Sequence, residues 1–151
     1  MKSFLKYWLP VLAWVGLIFI GSTDLMSAEH TSRIIGPILR WFNPDISPAA
    51  IVQVQFFVRK VAHLTEYAIL AALLWRALRR GGALRVKMSI LFLTAWFVAA
   101  LLAMIDEFHQ SFVPSRTASL VDVMIDICGA LIALTICIAV AGRKVVKEMR
   151  V

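Results

Sequence analysis

FVRKVAHLTEYAILAALL, residues 57–74, is apolar almost throughout, yet Arg59, Lys60, His63 and Glu66 fall within eight positions of it. In a membrane helix such groups cost roughly 2.5–3.5 kcal/mol each near the bilayer centre on insertion scales. A chain keeps them there when partners or water reach them. Whether this stretch is a soluble core helix or a polar-bearing membrane span decides the fold.

The surrounding composition favours a span. The chain has 151 residues, 61% of them hydrophobic, and a mean hydropathy of +0.83. About half is usual for a soluble domain of this size. The apolar residues are concentrated in four runs. Lys2 and Lys6 are followed by an apolar run over 7–20, which flanking residues from Phe4 onward stretch to a short first span of about 17 residues. A cleaved signal peptide is the rival reading. Met26-Ser27-Ala28 is a poor cleavage site, because Met26 stands where a small residue is wanted, and Gly21-Ser22-Thr23 is a better one.

The opening stretch belongs to a longer helix. Ser47 as N-cap and Pro48 at the first helical position start it, and nothing breaks it before Gly81-Gly82. At 1.5 Å per residue it is about 46 Å long, more than the ~30 Å hydrocarbon core, so it tilts, bends or projects. Residues 88–105 carry no charge and form the clearest span. Residues 120–142 form a fourth, interrupted only by Asp122 and Asp126. Together these runs predict an all-α membrane protein, a single-domain bundle of four transmembrane helices over about 5–21, 54–78, 88–106 and 119–141. Between the first two, Ile34, Ile35, Ile38, Leu39 and Phe42 recur at helical spacing, among Arg33, Arg40 and Trp41. That suits an external interfacial segment over 31–43; the turn signals Gly36-Pro37 and Asn43-Pro44 equally allow a loop packed on the helix ends.

Charge orients the bundle. Lys2, Lys6, Arg76, Arg79, Arg80, Arg85, Lys87, Arg143, Lys144, Lys147 and Arg150 fall on the side of the termini, with Glu148 the only acid there. The positive-inside rule places both termini in the cytoplasm. The net charge of +7 is thereby explained by orientation and contact with anionic lipid, and a nucleic-acid partner is not implied. Cys128 and Cys137, about 13 Å apart along one helix, are too far apart for a disulfide.

Three helices then carry polar groups to the same outer half. Lys60, His63, Glu66 and Tyr67 form a stripe on the second span. Asp106, Glu107 and Gln110 crowd the end of the third, with His109 on a different face, and Ser119, Asp122 and Asp126 share a face of the fourth. Glu66 stands about 15 Å from Arg76, near mid-depth, whereas Asp106 is about 28 Å from Lys87. The pattern predicts a polar pocket entered from outside, with carboxylates at its rim and His63 and Glu66 deeper. Pairs such as Lys60–Glu66, Arg59–Asp106 or Arg116–Asp122 that merely hold helices together are the alternative. Against that alternative, acids outnumber bases in the cluster, and buried charge without a partner destabilises.

The segments RKVAHLTEYAIL (59–70) and DEFHQSFVPSRTASLVDVMIDICGA (106–130) also resemble the VanZ-like membrane protein family. The family pattern is a basic residue, His and Glu-Tyr in one helix, then Asp-Glu with Gln, Pro-x-Arg, Asp, an Asn four residues on and a Gly three after that. Lys60, His63, Glu66, Tyr67, Asp106, Glu107, Gln110, Pro114, Arg116, Asp122 and Gly129 match it, and Asp126 stands where the family usually has Asn. The likeness covers about residues 55–135. It implies a multi-pass protein of the bacterial inner membrane concerned with the cell envelope, its namesake being linked to resistance to the glycopeptide teicoplanin. It supplies neither a reaction nor a cofactor.

Three functions are compatible with such a cluster. The first is a binding module for a polar or lipid-linked envelope precursor, or a glycopeptide-related ligand. Lys60 and Arg116 would then reach anionic groups, since an Arg fork binds phosphate bidentately. The second is a hydrolase or transferase using His63 and the acidic cluster, metal-assisted or with His63 as acid or base. No HExxH-like spacing occurs, so no metal ligand is assigned from sequence. The third is a proton-linked carrier, which the scarcity of polar groups in the cytoplasmic half (Ser89, Thr94, Thr135) disfavours.

Overall fold

The computed structural model describes residues 2–24, 28–81 and 86–148. Five helices follow in order: α1 (Lys2–Gly21), α2 (Ala28–Phe42), α3 (Pro48–Gly81), α4 (Met88–Gln110) and α5 (Leu120–Glu148). No strand occurs among the described residues. Four helices, α1, α3, α4 and α5, are long and apolar enough to cross a membrane. The Met26-Ser27 part of the weaker cleavage site, residues 82–85 between the second and third predicted spans, and the last three residues lie outside the described residues.

α3 is the hub, packing against α1, α2, α4 and α5. Its start is the capped one that Ser47-Pro48 encodes: Ser47 Oγ accepts from the Ala50 amide at 3.2 Å. α5 lies beside α3 and runs the same way, since Lys60 meets Asp122 and His63 meets Asp126. One further step along, Gly129 passes against Leu64, and a Cβ at Gly129 would run into the Leu64 carbonyl. Glycine is required there by the close approach of two backbones. α4 presents Leu91, Ala95, Ala99, Ala103 and Glu107, all buried, along one i, i+4 row. The alanines let the neighbouring helices come close, and the same row ends on a carboxylate.

The core is a thin apolar column through Tyr67, Leu70, Ala71, Leu74, Trp75 and Leu134. Outward surfaces are apolar too, as at Leu12, Leu17, Phe57, Phe97 and Ile136, the coat that helices need against acyl chains.

α2 differs from the turn that Gly36-Pro37 signals. The helix continues through both residues, which face a groove shared with Ile51 and Val52 of α3. Packing of one face on α3 outweighs the local preference of Gly-Pro. Its other face leaves Ile34, Ile38, Trp41 and Phe42 exposed.

Candidate functional site

The polar residues gather where α1 and α4 end, α5 begins and the first half of α3 passes. His63, Asp106, Glu107, Gln110, Asp122 and Asp126 are all buried. Local chain structure explains their positions. Ser119 caps α5, its Oγ accepting from the Val121 amide at 3.2 Å, which sets Asp122 in the first turn and Asp126 one turn below. The Ser119 amide in turn donates to Glu107 Oε2 at 2.7 Å, tying the α5 start to the α4 end.

Each charged group meets a specific environment. Lys60 Nζ pairs with Asp122 and not with Glu66. Asp106 accepts from the Ser22 hydroxyl and from Gln110 Nε2 at 3.0 Å. His63 Nδ1 faces Asp126 Oδ1 at 3.3 Å as an ion pair, while Nδ1, both Asp126 oxygens, Glu107 Oε1 and the Tyr67 hydroxyl have no hydrogen-bond partner. The atoms of His63, Glu107 and Asp126 converge within 4.8 Å of one another. Spacing in the sequence left no metal-ligand set; three different helices assemble this candidate one.

Arg116 does more than the sequence indicated. Its guanidinium donates to the Thr23 carbonyl, at 3.2 Å from Nε and 3.1 Å from Nη2, and to the Gly21 carbonyl. These are the carbonyls left open where α1 ends. Burial and the neighbouring Arg59 push the Arg116 guanidinium below its usual pKa, against the opposing pull of Asp106, Glu66 and Asp24.

Beside the cluster is a cavity of about 140 Å³. Arg59, His63, Glu66, Gln110, Arg116 and Ser22 line it with Ile35, Val58 and Ala62. Arg59 Nε is buried there without a partner. The cavity therefore takes Arg59 and Arg116 as its cations, while Lys60 turns away to Asp122. Two contributors escaped the sequence reading. Arg59 was legible only as a helix-pairing charge, and Ser22 sits just past α1 with no motif to mark it. His109 is half-buried with its ring against Phe19, centroids 5.9 Å apart, away from the cluster as its helical face predicts.

These polar positions fall inside residues 7–141, the segment that the VanZ/LLP1 family model matches. The chain belongs to the VanZ/LLP1 family. Family membership together with four apolar helices makes it a multi-pass membrane protein. No curated protein and no solved structure matches it. Within this VanZ/LLP1 chain, Asp126 is the residue facing His63.

Proposed function

We propose that this protein binds the anionic head group of an amphipathic, lipid-linked cell-envelope component in the cavity between α2, α3 and the α1 end. In this reading the cavity opens to the outer face of the bacterial cytoplasmic membrane, and the termini are cytoplasmic. Its role is in envelope homeostasis or glycopeptide resistance.

The observation that carries the reading is the pair of guanidiniums in one cavity wall, with Arg59 Nε buried and unpartnered. Two like charges held side by side away from bulk water repel, and an anion between them removes that repulsion. A phosphate or carboxylate accepts from the Arg59 fork with good geometry, and the Arg116 charge, its Nε and Nη2 held by the Gly21 and Thr23 carbonyls, adds attraction from the same wall. Ile35, Val58 and Ala62 supply the apolar part of the wall, and the exposed apolar face of α2 next to it suits an acyl or prenyl chain. Glu66 and Gln110 offer acceptor and donor groups for sugar hydroxyls or amines.

The test is binding of a polyprenyl phosphate to the detergent-purified protein, measured by native mass spectrometry or tryptophan quenching. Arg59→Gln is expected to weaken binding by about tenfold or more, since charge-assisted hydrogen bonds contribute roughly 1.5–3 kcal/mol each. The variant should express and melt as the parent does. Unchanged affinity in Arg59→Gln would refute the reading.

A further inference from the structure

The geometry points to a divalent-cation site formed by the His63 imidazole and one carboxylate oxygen each from Glu107 and Asp126, suited to zinc or manganese.

Elimination leads to these three groups. Asp122 is neutralised by Lys60, and Asp106 is satisfied by a hydroxyl and an amide. Arg116 commits Nε and Nη2 to the Gly21 and Thr23 carbonyls at the α1 end and faces the neighbouring cavity. Glu66 lines the neighbouring cavity, which leaves Glu107 and Asp126, both almost fully buried, with Glu107 Oε1 and both Asp126 oxygens accepting no hydrogen bond. Buried carboxylate oxygens without donors are costly. His63, also buried, directs at the same point an Nδ1 that makes no hydrogen bond, with Asp126 Oδ1 its only ion-pair contact among the described residues.

A protonated His63 leaves the trio with one uncompensated negative charge. A divalent ion with a neutral imidazole and two carboxylates brings it to zero, which is the arrangement a low-dielectric site favours.

Distance supports the same occupant. Two ligands about 2.0–2.1 Å from one tetrahedral ion lie about 3.3–3.4 Å apart. His63 Nδ1 and Asp126 Oδ1 are separated by 3.3 Å, and an oxygen of Glu107 lies within 4.8 Å of the ligand atoms of both. One nitrogen with two carboxylate oxygens is a donor set for borderline ions rather than for calcium. Glu107 is oriented by the Ser119 amide on its other oxygen, the second contact that ligating carboxylates characteristically make. Three protein ligands leave a coordination position open, and His63 is also a wall of the neighbouring cavity.

The experiment uses the full chain purified in detergent without a polyhistidine tag. The protein is stripped with a chelator and dialysed against zinc or manganese chloride alone, and bound metal is measured by elemental analysis. A single ion per chain is expected. Asp126→Asn, Glu107→Gln and His63→Gln should each weaken binding by at least about tenfold. His109→Gln, which removes a histidine outside the cluster, should bind as the parent does. Cobalt loading of the unmutated protein gives a readout that needs no variant: intense visible bands of a low-coordinate N/O site are expected. No bound ion, affinity unchanged in all three variants, or a cobalt spectrum like that of the aqueous ion would each overturn the proposal. Arg59 has no part in this site, so its failure and that of the anion-binding reading are told apart.

Discussion

Arg116 closes the carbonyl end of α1 and forms a wall of the cavity at once, so its removal has two separable effects. Arg116→Gln should lower thermal stability in detergent by about 1–3 kcal/mol, the cost of leaving buried acceptors unmet. Any loss of ligand binding comes in addition. A melt that does not move would show that water replaces the guanidinium without cost. Lys60 gives a sharper case. Lys60→Met leaves Asp122 buried and alone, and about 3–5 kcal/mol of destabilisation is expected. The double change Lys60→Met with Asp122→Leu should recover most of it, measured by the same melts. Helical spacing in the sequence put Lys60, His63 and Glu66 on one stripe and Asp122 and Asp126 on another. It did not say which rung faces which, because that depends on how α3 and α5 settle against each other in rotation and depth. Pairing of Lys60 with Asp122, and the turning of Arg59 into the cavity, follow from that packing.

At the level of elements, local signals were read correctly where the chain has one dominant preference. Ser47-Pro48 starts α3 because a hydroxyl cap and a fixed φ agree there. The uncharged run from Met88 makes α4, and the helix carries on through Asp106 and Glu107 to Gln110. Those polar residues end it inside the cluster, so they do not mark its edge. Gly36-Pro37 is the opposite case, where a turn signal is overridden by the seat of α2 on α3. The role of Gly129 was visible only as part of a family pattern, since a close backbone approach leaves no periodic trace. Gly129→Leu should force α5 off α3 at the Leu64 carbonyl. A loss of about 1–3 kcal/mol is expected, together with weakened cation binding, because Asp126 lies on the turn above. A stable Gly129→Leu protein with normal metal uptake would contradict that account.

On the scale of the whole molecule, the four long helices and their charge asymmetry were legible because bilayer thickness and hydropathy act on every residue alike. The cavity was not, since it arises from the meeting of α1, α2, α3 and the α4–α5 connection. Orientation can be checked directly. Reporter fusions at the C-terminus are expected to be active as cytoplasmic fluorescent proteins and inactive as exported phosphatases. The reverse pattern would move the polar cluster to the cytoplasmic side and with it the source of any ligand.

The parallel pairing of α3 with α5 also fixes an order of events during synthesis. α3 leaves the ribosome first, carrying Lys60 and His63 into an apolar environment, while Asp122 and Asp126 are still being translated. Until α5 arrives, those groups have no counter-charges from it, at a cost of up to roughly 2.5–3.5 kcal/mol for each charged one. Chains stopped after α4 should therefore hold α3 poorly in the bilayer and be degraded quickly. Completion of α5 is then expected to be the step that holds α3 in the bilayer.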